Sequence, residues 1–194
     1  MRSDDTLLKH LAASGALMEG HYVLSSGLHS GRYLQCALAL QFPSDAARFG
    51  RMIAESYAGS AIETVASPAI GGLVIGFAVA EALNVRFVWT ERQAGIMTMR
   101  RGFTIKRGER ILVVEDVITT GGSTRECIAA LTQNGGDVIA AASLVDRSNG
   151  VADVGVPRTS LLSLNVETFD QNSCPLCAAG TEAVKPGSRT AASN

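Results

Sequence analysis

Ile111-Leu112-Val113-Val114 is a run of four apolar residues, followed without a break by Glu115, Asp116 and then Val117-Ile118-Thr119-Thr120-Gly121-Gly122-Ser123-Thr124. Few folds accept that order. Four consecutive apolar positions fit a short strand buried on both faces, the environment of a parallel sheet covered by helices. The polar turn then leads into a segment with helical character, 125–132. Strand, turn and helix in this order predict an α/β chain with a central, mainly parallel sheet flanked by helices. In such sheets ligands bind just beyond the carboxyl ends of the strands. A glycine-rich turn opening a helix presents backbone N–H groups and the positive end of the helix dipole, which suits a phosphate. Thr119, Thr120, Ser123 and Thr124 add hydroxyl donors. Glu115 and Asp116 repel a phosphate, so they suit the hydroxyls of a sugar or a magnesium ion. Phosphate and hydroxyl recognition side by side describe a sugar-phosphate site.

The rest of the composition narrows the class. A chain of 194 residues is read as a single domain with a substantial core. A net charge of −1 gives no electrostatic case for nucleic-acid binding. No apolar run reaches the roughly 18 residues of a membrane span, and Met1-Arg2-Ser3-Asp4-Asp5 lacks an apolar signal core. The expectation is a cytoplasmic protein whose four cysteines are reduced thiols.

Taken in order, residues 1–42 are expected to form a helix and a hairpin, 43–165 the α/β core, and 166–194 a tail. Leu7, Leu8 and Leu11 predict a helix over 6–14 that Gly15 ends. Apolar residues on either side of Ser25-Ser26-Gly27 predict a hairpin within 22–35. His29, a lone histidine beside that turn, is expected to be exposed. Ser44 is read as the N-cap of a helix over 44–57. Residues 63–68 read as a strand, followed by Gly71-Gly72 and an apolar helix over 73–83, a second strand–loop–helix unit. Neither GxGxxG nor a Walker lysine accompanies these glycines, so dinucleotide and P-loop folds are unsupported. Residues 86–89 form a third strand. The twenty or so residues from Thr90 to Arg110 are too long for an idle connection, and predict a basic binding arm turned at Lys106-Arg107-Gly108-Glu109. Arg92 and Arg100 are its favoured functional cations, with Arg101, Lys106 and Arg107 nearby. A helix over 123–134, stopped by Gly135-Gly136, then a strand over 138–145 and a last strand over 160–164 complete the core. Arg147, just past a strand end, points to the same crevice as the 111–124 motif. A planar guanidinium there suits a carboxylate. The lone Cys174-Pro175-Leu176-Cys177 pair lacks a second pair at zinc-site spacing, so no metal is assigned to it. Thr190 to Asn194 are expected to fray.

Val114 to Ser123 resembles the phosphoribosyl pyrophosphate (PRPP) signature of the type I phosphoribosyltransferases, which runs as strand, two acidic residues, hydrophobics, then a Thr/Gly/Ser loop. The run from Tyr22 to Gln35 resembles the hood of the orotate phosphoribosyltransferases, and the Cys-Pro-x-Cys and Lys185-Pro186-Gly187-Ser188-Arg189 tail is similar to one branch of them. The likeness spans essentially the whole chain. Ser26 and Gly71 stand where many of those proteins have a lysine.

The resemblance implies transfer of the 5-phosphoribosyl group from PRPP to orotate, giving orotidine 5′-monophosphate and pyrophosphate in de novo pyrimidine biosynthesis. It implies PRPP contacts from Glu115, Asp116, Val117, Ile118, Thr119, Thr120, Gly121, Gly122, Ser123, Gly71 and Gly72. Thr119, Arg147 and Tyr33 are implied for orotate. Asp116, Glu115, Arg100 and Arg92 are the implied catalytic groups. Magnesium is implied as cofactor, held mainly through PRPP near Glu115 and Asp116 and not by a dedicated protein site. The implied assembly is a homodimer whose basic arm reaches the neighbouring site, with neither nucleic acid nor membrane as partner. Two rivals share the motif. A purine phosphoribosyltransferase has no use for a carboxylate-binding Arg147. A non-catalytic PRPP sensor acting on nucleic acid needs a basic face that the charge balance does not offer.

Overall fold

The computed structural model describes residues 3–24 and 26–186. In chain order the elements begin with helix α1 (Ser3–Ala13), strands β1 (Leu17–Val23) and β2 (His29–Leu34), a short helix α2 (Ala37–Leu40) and helix α3 (Pro43–Glu55). Strand β3 (Thr64–Pro68), helix α4 (Gly72–Leu83), the hairpin strands β4 (Arg86–Gln93) and β5 (Ile96–Met99), and strand β6 (Arg110–Ile118) follow. Helix α5 (Gly122–Gln133), strands β7 (Asp137–Asp146) and β8 (Arg158–Ser163), and a short tail helix α6 (Pro175–Ala178) complete the series.

Six strands form one sheet in the order β5-β4-β3-β6-β7-β8, parallel throughout except for β5 against β4. The apolar run on β6 sits at its centre. Alternation along the strand divides the run between two layers. Leu112 and Val114 pack with Phe49, Ile75 and Val79 of α3 and α4. Ile111 and Val113 pack with Cys127 and Leu131 of α5. The β3 and β6 strands pair only from Thr64–Ile111 to Ala66–Val113. Beyond that point they part, and β6 continues alone with β7 through Ile118–Asp146. A crevice therefore opens past the carboxyl ends of β3 and β6, where the strand order reverses direction.

The hood is the antiparallel β1–β2 pair, a separate two-stranded sheet. The tail lies on it, with Phe169 bridging to His29 and Val184 to Tyr22.

Several expectations need correction. Glu115 and Asp116 lie within β6 and not after it, because pairing with β7 carries the strand on to Ile118. Helix α3 starts at Pro43, with Phe42 at the cap position and no side-chain cap, since proline's fixed φ suits the first helical turn. The basic arm is a β4–β5 hairpin that turns at Ala94-Gly95, both at positive φ, and not at Lys106–Glu109. The latter segment is a turn packed onto the core: Glu109 is buried and accepts from Thr64 and from the Lys106 N–H. His29 is buried, not exposed, and the Cys174/Cys177 pair does have partners, in His21 and His29. Ser25, the Gly187-Ser188-Arg189 part of the tail motif and the expected fraying of 190–194 lie outside the described residues.

Candidate active site

Two loops rim the crevice, and each opens a helix. After β6, Thr119 and Thr120 are exposed and Gly121 adopts φ 74°, the left-handed region that lets the chain turn at once into α5. A Cβ on Gly121 would stand 2.8 Å from Val154 Cγ1. Arg125 clamps the turn by donating to the carbonyls of Thr120 (2.9 Å) and Asp153 (2.6 Å). The first N–H groups of α5, at Gly122 and Ser123, thus point away from the helix with a positive dipole end behind them.

After β3, the chain passes through the cis Ala69–Ile70 peptide to Gly71 and Gly72 at the start of α4. Here glycine is required by close approach. A Cβ on Gly72 would lie 2.8 Å from the Val114 carbonyl, and one on Gly71 would lie 2.7 Å from the Asp116 carboxylate. The acidic pair of β6 therefore touches the second glycine loop, and the two strand–loop–helix units are halves of one site.

Between the second glycine loop, Asp116 and the segment that follows β2 is a cavity of ≈ 330 Å³ lined by Gln35, Ala37, Leu40, Gln41, Ile70, Gly71, Val74 and Asp116. Asp116 is its ionisable floor. Glu115, only 7% exposed, points the other way along the strand alternation. Burial, then the neighbouring Asp116 charge, pushes Glu115 up to about 9. Burial also raises Asp116, although hydrogen bonds from Glu115 and from the Val117 N–H oppose the rise. A buried carboxylate pair that ionises this reluctantly is poised for hydroxyl donors or a cation.

Arg147 follows β7 and is fixed by its own N–H, which donates to the Ile118 carbonyl at 2.8 Å. Its Nε is buried without a hydrogen-bond partner. Burial lowers its pKa, and the adjacent Tyr33 and Cys36 act against that. The obvious competitor, Asp146, is already engaged: it holds Arg158 at 2.9 Å and accepts from the N–H groups of Ser148 and Gly150. Burial pushes Asp146 up, but Ser148 and Arg158 win and its pKa ends below the usual value. Arg147 Nε is therefore left without a partner among the described residues, beside Tyr33 of the hood. An unpaired buried donor of this kind is costly unless a ligand completes it.

The structure brings together Glu115, Asp116, the 119–123 loop and Gly71-Gly72, and sets Tyr33 near Arg147. It does not bring Arg92 or Arg100 to the crevice lining. Arg92 pairs with Glu126 at 2.6 Å, and Arg100 lies 3.8 Å from Glu91, which Arg101 holds at 2.8 Å. Gln35, Ile70 and Val74, not anticipated from sequence, line the cavity. Gln35 comes from the turn after β2, Ile70 and Val74 from the second loop and α4, and no local pattern signals that these distant segments meet.

Comparison with known proteins agrees with this geometry. A sequence model of the phosphoribosyl transferase domain matches residues 45–175. An orotate phosphoribosyltransferase of Pelotomaculum thermopropionicum is 49% identical over 95% of this chain and 97% of its own. That of Thermotoga maritima is 48% identical over 92% and 96%. Among solved structures, the crystal structure of orotate phosphoribosyltransferase from Aeropyrum pernix matches with a TM-score of 0.70 at 28% identity, covering 81% of this chain and 93% of that one.

Proposed function

The chain belongs to the phosphoribosyl transferase family, and we infer that it is an orotate phosphoribosyltransferase, which makes orotidine 5′-monophosphate and pyrophosphate from PRPP and orotate in pyrimidine biosynthesis. The bond from orotate N1 to ribose C1 forms, the bond from C1 to the pyrophosphate oxygen breaks, and the N1 proton leaves to the pyrophosphate or to water. The leaving group is good and the ring develops cationic character, so no protein nucleophile is needed. The protein's part is positioning and charge.

The 119–123 loop and the N-terminus of α5 hold the 5′-phosphate, with Val117 and Ile118 setting the strand that carries them. Asp116 and Glu115 bond the ribose hydroxyls; burial keeps Glu115 a neutral carboxyl near neutral pH, so the negative charge that favours the cationic ring falls to Asp116. Gly71 and Gly72 bring the N-terminus of α4 against the pyrophosphate. Asp116, with Glu115 beside it, would offer oxygen ligands to magnesium, which would supply charge neutralisation to the pyrophosphate and, as magnesium usually does, would bind mostly through substrate and water. Thr119, Tyr33 and Arg147 take the base. The Arg147 Nε, without a hydrogen-bond partner among the described residues, is the observation that carries the choice of orotate, because a guanidinium with a free buried donor is complementary to the orotate carboxylate.

The same reading makes the protein a cytoplasmic homodimer. Support comes from an apolar groove of ≈ 600 Å³ on α3, α4 and β4, lined by Leu40, Pro43, Val74, Phe77, Phe87 and Trp89. Phe77 is 62% exposed in the single chain. Leu40 and Val74 line both this groove and the crevice, so a second copy seated there lies next to the site. No helix among the described residues is long and apolar enough to cross a membrane.

Two assays test the reading. With PRPP and magnesium, orotate is expected to be consumed, and adenine, hypoxanthine and uracil left; consumption of a purine with orotate untouched rejects it. Arg147→Ala is expected to raise the KM for orotate about 10- to 100-fold, the worth of a charged hydrogen-bonded pair, with the KM for PRPP little changed. Loss of PRPP binding instead removes Arg147 from the base end.

A further inference from the structure

Four side chains that take no part in the crevice converge where the tail meets the hood. His21 on β1, His29 at the start of β2, and Cys174 and Cys177 around α6 present ligand atoms that all lie within 4.8 Å of one another. His21, His29 and Cys174 are 6%, 5% and 3% exposed. Cys174 Sγ and Cys177 Sγ are 3.6 and 3.8 Å from His21 Nε2, and Cys177 Sγ is 3.3 Å from His29 Nδ1. In a tetrahedral zinc site the bond lengths place a nitrogen and a sulfur ligand about 3.5 Å apart, and two nitrogens about 3.3 Å apart. The three nitrogen–sulfur distances bracket the first value. The two ring nitrogens stand at 2.8 Å, so one imidazole has only to open by about half an ångström to complete the tetrahedron.

We propose that His21, His29, Cys174 and Cys177 bind one structural zinc ion that fastens the hood to the tail. The surroundings are arranged for it. His21 Nδ1 lies 2.9 Å from the Thr181 carbonyl, which can only accept, so Nδ1 carries the proton and Nε2 turns its lone pair to the cluster. The Thr181 hydroxyl, 3.1 Å from the same nitrogen, spends its own proton on the Leu176 carbonyl. Such a second partner fixes a metal-binding histidine's tautomer and orientation. The backbone wraps the thiols, with Ala178 N–H donating to Cys174 O and Gly180 N–H to Cys177 O. Zn²⁺ displaces one proton from each thiol and takes two thiolates and two neutral imidazoles, so a neutral group replaces four polar ones, three of them buried.

The gain to the fold follows from its topology. A two-stranded hairpin alone is marginal, and this one is tied to the tail by single bridges at His29–Phe169 and Tyr22–Val184 and by a few hydrogen bonds such as Ser30 Oγ to the Glu167 carbonyl. Four metal bonds joining residues up to 156 positions apart in sequence add to these ties. This proposal does not depend on which base the crevice accepts.

The experiment uses the full chain purified without chelators. About one zinc per chain by elemental analysis is expected, falling to none in Cys174→Ser/Cys177→Ser. Chelation is expected to lower the melting temperature of the parent and leave that of the double variant unchanged. Where the double variant fails to fold, cobalt added to the chelator-stripped parent gives the decision: visible bands of tetrahedral cobalt together with thiolate-to-cobalt charge transfer support the site. Absence of zinc with no such bands overturns it, as does a Cys174–Cys177 disulfide in freshly purified protein.

Discussion

Glu115 is held where burial and the Asp116 charge both oppose its ionisation, and this has a thermodynamic consequence that is separate from catalysis. Its folded pKa of about 9 stands above the ordinary 4.5 of the unfolded chain. Below the lower value both states are protonated and nothing is lost. Between the two, the unfolded chain releases the proton and the folded chain keeps it, so stability falls with rising pH by about 1.4 kcal/mol per pH unit. Above about 9 the loss is complete and constant. Glu115→Gln cannot ionise. It is expected to match the parent in stability at the acid end of this window, to exceed it increasingly toward the alkaline end, and to lose turnover. Urea unfolding across the window reads the difference, and parallel curves for the two proteins would remove the cause assigned here. Asp116, whose pKa is also raised and which bonds Glu115, remains in both proteins, so their difference reads Glu115 together with its coupling to Asp116.

At the scale of elements, the two neighbouring glycines of α4 are constrained by different things. At Gly72 an added Cβ meets the Val114 carbonyl at 2.8 Å and Ser67 Cβ at 3.0 Å, both set by strands of the central sheet. At Gly71 it meets only the Asp116 carboxylate, the end of a side chain that can rotate. Gly72→Ala must therefore displace α4 and is expected to cost about 1–3 kcal/mol of stability, as overpacking does, together with PRPP affinity. Gly71→Ala is expected to keep the fold and lose turnover by pushing Asp116 aside. Thermal unfolding beside the KM for PRPP separates them; equal destabilisation by both contradicts the distinction. The elements themselves were largely legible in the chain, because the strand–turn–helix units around Gly71 and Gly121 are written in contiguous residues. What stayed illegible depends on distant partners. Glu109 reads as a polar turn residue until Thr64 and Arg86 come to meet it. His29 reads as an exposed histidine until the tail covers it. Asp146 and Arg147, adjacent in sequence, suggest an ion pair that Arg158 pre-empts.

For the whole molecule, the decisive question is where the catalytic cation comes from. Within one chain the arm's arginines are neutralised locally, Arg92 by Glu126 and Arg101 by Glu91, with Arg100 also beside Glu91. None lines the crevice that holds Asp116. The crevice nevertheless has to offset the charge of a departing pyrophosphate, and the exposed apolar groove continues from it through Leu40 and Val74. In the proposed dimer a second copy docked on that groove would bring another arm toward the site, so each crevice would be completed in trans. Arg100→Ala and Asp116→Asn are each expected to be nearly inactive alone. Unfolded, mixed in equal amounts and reassembled, half of the dimers are mixed, and each mixed dimer has one site with both residues intact. About a quarter of parental activity should therefore return, since a two-fold dimer has two equivalent sites. If the arm served its own crevice, every site in a mixed dimer would still lack one residue and nothing would return. Phe77→Glu introduced into both chains places a charge in the groove, and is expected to yield monomers by sedimentation and to abolish the recovery.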